Sequence, residues 1–356
     1  MSLADFPSTY RAYRRTGGPV PRTIEQTTET LQRALGPHDV LLKIRAVSLN
    51  FRDVGILHGR YPAPYIETGI VASDAAAEVA AVGPAVDGFV VGDRVSVQFD
   101  SLNLTGEEFD EGHSGLGGDV DGVLREWAVL EDKFLVHLPK HLSWEEGSTI
   151  ACAGVTAWTA LHAPKSFRPG TSVLLQGTGG VSMFALLIAL AAGITPIISS
   201  SSDAKLAAIQ KLAPPGAILG YNYRTEPDQA AAVQRLTGGK GVAIVLNNTG
   251  VGSFLADLGS LRARAGVVSV VGFLDGAKAD YHPSELLAGL LGKTASIEGI
   301  ILGSKLQFEE LNRFIEEKQV RLQPLVDRVF EFDESKAAFD YLYSGKHVGK
   351  IVIKVQ

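Results

Sequence analysis

Apolar positions along the chain fall into two regimes. From Val40 to Leu49 and from Gly92 to Phe99 they alternate with polar ones, the period of half-buried strands, and Ile70 to Val82 is a long β-prone run closed by Gly83-Pro84. Gly and Asp turns are closely spaced between these runs, so the N-terminal region reads as an antiparallel β domain. No strand–helix–strand rhythm is visible before about residue 155. Beyond it, short apolar runs at Val173 to Gln176, Thr195 to Ser199, Val242 to Leu246 and Val267 to Gly272 are separated by helical stretches, which predicts a parallel, doubly wound sheet. The tail changes character again, with an amphipathic segment at Phe308 to Glu317, a helix at Ser335 to Tyr343 and a final strand over His347 to Val355.

The most informative stretch lies between the first two of those parallel strands. The apolar run ends in Gly177-Thr178-Gly179-Gly180-Val181, and Met183 to Ala192 is apolar nearly all round, as a helix packed on a sheet should be. Glycines here let the backbone turn tightly and let a pyrophosphate approach the amides at the positive end of the helix. Ser182 stands where a G-x-G-x-x-G pattern would place its third glycine. Such a turn can be a plain strand-to-helix connection, but strand, helix and second strand in this order favour dinucleotide binding, and with it an oxidoreductase. The second strand then selects the dinucleotide. An NAD site would end it in Asp or Glu, whereas this chain reads Ser199-Ser200-Ser201-Ser202 with Lys205 one turn on. Hydroxyls and a cation suit a 2′-phosphate that a carboxylate would repel, so the expected cofactor is NADP, held by Ser200, Ser201 and Lys205. Ser202 or Asp203 is also expected to cap a helix over Ala204 to Leu212.

Composition narrows the setting. The 356 residues suffice for two cores, and 46% hydrophobic content with a net charge of −6 gives no electrostatic preference for nucleic acid or an anionic membrane. The lone Cys152 rules out an intrachain disulfide, and the N-terminus lacks the apolar segment of a secretory signal, so a reducing, cytoplasmic setting is expected. The longest apolar stretch, Val181 to Ile198, is broken by Gly193 and Pro196 and predicts no membrane span. Asp100 to Asp121, acidic and glycine-rich, is expected to be a mobile surface excursion.

Seven pieces in order carry a resemblance over nearly the whole length: Ala46 to Tyr61 (AVSLNFRDVGILHGRY), Ser73 to Gly83 (SDAAAEVAAVG), Val90 to Val95 (VVGDRV), Asp121 to Leu130 (DGVLREWAVL), Ala151 to Leu161 (ACAGVTAWTAL), GTGGVS with SSSDAKL, and His347 to Ile353 (HVGKIVI). The chain resembles the medium-chain dehydrogenase/reductase superfamily, and within it the zinc-free quinone oxidoreductases and the zinc-type alcohol dehydrogenase-like proteins grouped with them. The resemblance implies an α/β protein: a GroES-like, β-rich catalytic domain from residues 1–154 and 302–356, interrupted by a Rossmann NADP-binding domain over 155–301. Zinc-dependent members carry Cys, His and Cys as catalytic metal ligands, and those positions fall here at Asn50, Ser73 and Cys152, with no cysteines for a structural zinc lobe. One thiol cannot make a three-ligand zinc site, so no metal is expected.

The same resemblance places Asn50 and Tyr61 beside the nicotinamide as catalytic candidates, though Asn50 also suits a turn cap and Tyr61 could pack on Pro62 and Pro64. It places Thr156 at the nicotinamide, Tyr223 along the adenosine phosphate, Asn248 near a ribose, Val271, Gly272 and Phe273 at the carboxamide, Ile301 and Leu302 at the return crossing, and Lys350 at a phosphate. Two departures stand out: relatives carry an acid near the first Asn of VLNNTG, and Pro214-Pro215 lengthens the approach to Tyr223. The implied activity is zinc-independent hydride delivery from NADPH to a quinone or α,β-unsaturated carbonyl. The alternatives are a biosynthetic alcohol dehydrogenase, a trans-acting enoyl reductase, or a non-catalytic NADPH-binding protein. The resemblance also implies a homodimer, since in relatives the strand matching Ile297 to Leu302 extends the sheet across a two-fold axis, and Val267 to Phe273 and Ile297 to Leu302 are apolar enough here to pair with a second copy.

Overall fold

The alternating N-terminal runs pair as antiparallel strands. In the computed structural model, which describes residues 2–109, 112–274, 276 and 278–356, the chain forms two units: Met1–Val155 with Ser304–Gln356, and Thr156–Gly303. These seams fall after Val155 and Gly303, where the sequence placed them after 154 and 301.

The first unit opens with a two-stranded ribbon, Thr9–Arg15 (β1) on Ile24–Thr30 (β2). Asp39–Ser48 (β3) leads into the helix Phe51–Leu57 (α1), followed by Asp74–Val82 (β4), Arg94–Val97 (β5), Trp127–Glu131 (β6), Leu135–His137 (β7) and the single turn Trp144–Gly147 (α2). β3 is the hub, antiparallel to both β4 and β6. Its Val40, Leu42, Ile44 and Val47 enter the core beside Ala75, Ala77 and Val79 of β4.

The second unit alternates as the period change predicts. Val155–Ala160 (α3), Ser172–Leu175 (β8), Gly180–Ala192 (α4), Thr195–Ser200 (β9), Asp203–Gln210 (α5), Leu219–Asn222 (β10), Gln229–Leu236 (α6), Ile244–Asn247 (β11), Phe254–Ser260 (α7), Val267–Val270 (β12), Pro283–Lys293 (α8) and Ser296–Gly299 (β13) follow in turn. The strands form one six-stranded parallel sheet in the order β10-β9-β8-β11-β12-β13. Strand order reverses between β8 and β11, the switch point at whose carboxyl ends such sheets bind ligands.

The chain then returns to the first unit as Lys305–Glu317 (α9), Val326–Glu331 (β14), Ser335–Tyr343 (α10) and Lys350–Lys354 (β15). β15 lies antiparallel to β3 and parallel to β14, completing the seven-stranded sheet. Glu146, 2% exposed, joins the two stretches of chain by accepting from Arg321 and from the N–H groups of Leu322 and Gln323.

The Asp100 to Asp121 segment is not the free excursion expected of it. Asp100 and Leu116 are buried, Asp100 pairs with Gly115 as an isolated bridge, and Arg15 donates to the carbonyls of Gly117 and Gly118 at 2.8 and 3.3 Å. A buried guanidinium needs acceptors, and these carbonyls supply them. Residues 110 and 111 of that segment lie outside the described residues. Among the described residues no helix is long and apolar enough to cross a membrane.

Candidate functional site

In the second unit the predicted cofactor residues Gly177 to Val181, Ser200, Ser201, Asn248 and Val271 to Phe273 lie at or just beyond the carboxyl ends of β8, β9, β11 and β12, while Tyr223 follows β10, Ile301 and Leu302 follow β13 and Thr156 lies on α3. Gly177 leaves β8 with φ +76°, a conformation open to glycine, and its N–H donates to Ser199 Oγ at 3.2 Å. A Cβ added to Gly177 or Gly179 would meet no atom within 4 Å, so the space over the turn is open. Met183 N–H is the first to bond back within α4, to Gly179 O, which leaves the amides of Gly180, Val181 and Ser182 without an intrahelical partner. An open glycine cradle facing unspent amides fits a dinucleotide pyrophosphate. Ser182, buried at the third-glycine position, donates to Gln176 O at 2.7 Å and so locks helix to strand.

Asn248, expected near a ribose, spends its amide hydrogens on Gln176 O and Ser182 Oγ, both at 3.0 Å, and so braces the turn. Ser200 is buried and accepts from Ser202 N–H, while Ser201 and Lys205 are half-buried and Tyr223 is 47% exposed. Tyr223 N–H donates to Ser200 O, which joins the ends of β9 and β10. Ser202 caps α5 as expected, and Asp203 is tied to Asn222 Nδ2 at 2.9 Å. Val271 N–H donates to Asn247 O, and a Cβ at Gly272 would come within 2.9 Å of Asn248 O, so glycine is required by close approach. Phe273 and Ile301 are exposed, whereas Leu302 is buried with φ +68°. Thr156 is buried on α3, which Ser269 Oγ fastens to β12 through Ala160 O at 2.7 Å.

An acid from α7 does lie against VLNNTG. Asp257, fully buried, accepts from Gln176 Nε2 and Gln229 Nε2 at 2.7 Å, Asn247 Nδ2 at 2.6 Å and Ser253 Oγ at 2.9 Å. Burial pushes its carboxyl up to about 6 against these four opposing hydrogen bonds. The sequence reading passed over Asp257 and Gln176, whose only signal was polarity within apolar surroundings.

In the first unit a second cluster forms where β3 runs into α1. Asp53 at the third helical position accepts from Asn50 N–H at 2.8 Å, so Asn50 is the N-cap of α1. Asn50 Nδ2 lies 3.4 Å from Ser73 Oγ, Ser73 donates to Asp74 Oδ1 at 2.7 Å, and Cys152 N–H donates to Asp74 Oδ2 at 3.2 Å. Tyr61, half-buried, packs on Gly55 of α1, and burial pushes its phenol up, with Arg52 opposing and Asp53 reinforcing the shift. Asp53 is likewise pushed up by burial.

Lys350 requires a correction. Expected at a cofactor phosphate, it is 3% exposed and donates to Leu49 O at 2.7 Å and to Asn50 Oδ1, with Asp74 Oδ2 at 3.7 Å. The antiparallel register of β15 on β3 swings it inward: Val352 opposes Ser48, and Lys350 begins the strand beside the next turn of chain. Its partner Asp74 was also missed, since a carboxylate next to a motif serine carries no sequence signature of its own.

Asn50, Ser73 and Cys152 therefore do converge, but as a donor set they do not suit zinc. They offer an amide, a hydroxyl and a thiol that burial pushes up to about 12, with an ammonium against the amide oxygen. Among the described residues no group of three or more His, Cys, Asp or Glu could hold a metal ion.

Comparison with known proteins is consistent across both units. The family of alcohol dehydrogenase GroES-like domains matches residues 36–140, and the family of zinc-binding dehydrogenases matches 180–317. A zinc-type alcohol dehydrogenase-like protein of Schizosaccharomyces pombe is 40% identical over 324 residues, covering 90% of this chain and 92% of its own. A quinone oxidoreductase of Pseudomonas aeruginosa is 32% identical over 237 residues, 66% of this chain and 65% of its own. A solved structure from Sinorhizobium meliloti superposes with a TM-score of 0.87 at 32% identity, covering 98% of this chain and 100% of that one.

Proposed function

This chain belongs to the medium-chain dehydrogenase/reductase superfamily, and we propose that within it the protein is a zinc-independent, NADPH-dependent oxidoreductase that reduces a quinone or an α,β-unsaturated carbonyl. The observation that carries this reading is that Asn50 and Ser73, two of the positions where zinc-dependent members hold their metal, are bound up here with the buried Lys350 and Asp74. Without a Lewis acid, hydride reaches an acceptor readily only if the new charge is delocalised, and quinones and enones meet that condition. When bound, a dihydronicotinamide supplies a hydride, two electrons with a hydrogen nucleus, and the acceptor takes one further proton from water or from a protein hydroxyl that water recharges.

Asn50 would donate an Nδ2 hydrogen to the oxygen that gains negative charge. Tyr61, its phenol pushed up, stays protonated at neutral pH and would provide the proton. NADPH is favoured by the serines that end β9 in place of an acid, with Lys205 in the first turn of α5. A lone cysteine suits a reducing, cytoplasmic setting.

The test is NADPH oxidation against phenanthrenequinone, benzoquinone and a medium-chain trans-alkenal, with chelator present and NADH run in parallel. We expect turnover that chelator leaves unchanged and a preference for NADPH of about tenfold or more, the worth of one charge-assisted contact. Tight NADPH binding with no oxidation by any acceptor would argue for a non-catalytic role, and activity that appears only on zinc loading would reject the metal-free reading.

A further inference from the structure

We propose that Lys350 is a positioning residue: its buried ammonium fixes the orientation of the Asn50 amide and strengthens the remaining Nδ2 hydrogen as a donor. The inference rests on the reading of Asn50 as the group that meets the acceptor oxygen. It begins from valence. An ammonium can only donate, so the atom of Asn50 that faces Lys350 Nζ must be the carbonyl oxygen, and the NH2 must point the other way.

The contacts then close into a ring. Lys350 donates to Asn50 Oδ1, Asn50 donates to Ser73 Oγ, Ser73 donates to Asp74 Oδ1, and Asp74 Oδ2 faces Lys350 Nζ again at 3.7 Å. The three hydrogen bonds run in one sense, from ammonium through amide and hydroxyl to carboxylate, so each polarises the next, and the Lys350–Asp74 ion pair closes the circuit between its two ends. Leu49 O takes a further ammonium hydrogen, and Cys152 N–H holds Asp74 from outside the ring. With Lys350 3% exposed and Asp74 fully buried, water cannot screen the charge.

What remains is one Nδ2 hydrogen on a half-buried Asn50, on an amide whose oxygen is already pulled by a cation. In an amide, charge withdrawn at oxygen is drawn from nitrogen, so the N–H becomes the better donor to an oxyanion. Hydride arriving at the β-carbon of an enone pushes the π pair onto its oxygen, and the enolate then takes a proton at the α-carbon. Lys350 neither gives nor takes an atom in that sequence. It steadies the charge through Asn50.

The experiment is a double-mutant cycle on the full chain, with Lys350→Met, Asn50→Ala and the pair, read as kcat and KM for an alkenal and for benzoquinone. Lys350→Met should lower kcat with the alkenal roughly 10- to 100-fold, less than the 10²- to 10³-fold typical of deleting an oxyanion donor itself. The loss with benzoquinone, which needs less charge stabilisation, should be smaller, and NADPH affinity should stay the same. In the Asn50→Ala background the same change should have little further effect, because the route through the amide is gone. Lys350→Arg, which keeps the cation, should recover part of the rate.

Should Lys350→Met not fold because Asp74 is left unpaired, Lys350→Met with Asp74→Asn removes both charges and serves in its place. Unchanged kcat, or an undiminished loss in the Asn50→Ala background, overturns the proposal. The side-chain amide resonance of Asn50 gives a reading independent of turnover. It should shift on Lys350→Met even if no acceptor is ever reduced, which separates failure of this proposal from failure of the proposed activity, and an unmoved resonance also overturns it.

Discussion

A carboxylate held at about pH 6, as at Asp257, costs the folded protein stability at neutral pH. The native group binds its proton above the usual value of 3.8, so between these limits the folded state carries more protons than the unfolded one. Stability therefore rises as pH falls through 6, the opposite of a salt-bridged aspartate. Between pH 7 and pH 5 this titration should contribute about 1 kcal/mol in favour of the fold. Asp257→Asn cannot titrate, and its NH2 would oppose the donors of Gln176, Gln229 and Asn247. The variant should be less stable at pH 7 by about 1–3 kcal/mol for the mismatched hydrogen bonds, and the gap to the wild type should widen at pH 5. Urea unfolding at the two pH values measures both terms, and a gap that narrows in acid would rule out the raised carboxyl. Asp257 and the inward role of Lys350 share one reason for being illegible in the sequence. Each takes its meaning from partners on other elements: Gln176 stands 81 positions from Asp257, and Asn50 stands 300 from Lys350.

The unit β8–α4–β9 separates what a glycine does for the fold from what it does for a ligand. Gly177 holds φ +76°, so Gly177→Ala should destabilise by about 1–2 kcal/mol through backbone strain, with no clash to relieve. Gly179 has φ −79° and ψ −179°, open to any residue, and an added methyl there meets nothing. Gly179→Ala should leave the melting temperature nearly unchanged yet weaken NADPH roughly tenfold or more, since the methyl would fill the cradle. Thermal melts beside fluorescence titrations decide this, and unchanged affinity in Gly179→Ala would move the pyrophosphate away from the turn. This unit was legible because a strand, a glycine turn and an apolar helix leave three successive signals, and α10 was legible to its ends at Ser335 and Tyr343. Elements with weak burial contrast were not. β2 has the sequence IEQTTET with one buried position, and α8 buries none, so neither carries a clear apolar period. The predicted strand at His347 to Val355 begins only at Lys350, since Gly349 adopts φ +78° hard against Leu325 O.

At the scale of the molecule, the sheet of the second unit ends at β13, which among the described residues pairs with β12 alone, so that its outer N–H and C=O groups face away from the sheet. An open edge invites another strand, and proteins that leave one bare usually cover it or charge it. Here the neighbouring surface is apolar instead. On α8, Leu286 and Leu290 pack partly against the core, while Leu287 and Leu291, one position on, are 57% and 70% exposed, and Ile301 beyond β13 is 63% exposed. Exposed leucines one turn apart beside an edge strand are suited to burial against a second copy, and we propose that two copies of this chain join edge to edge through β13, extending the sheet across a two-fold axis. Light scattering at micromolar concentration should then give twice the chain mass. Replacing Leu287 and Leu291 together by Lys leaves the inward leucines in place, so the variant should fold and bind NADPH while its mass falls toward that of one chain. A single-chain mass for the wild type at that concentration would remove the homodimer, and a variant that remains dimeric would move the interface off α8.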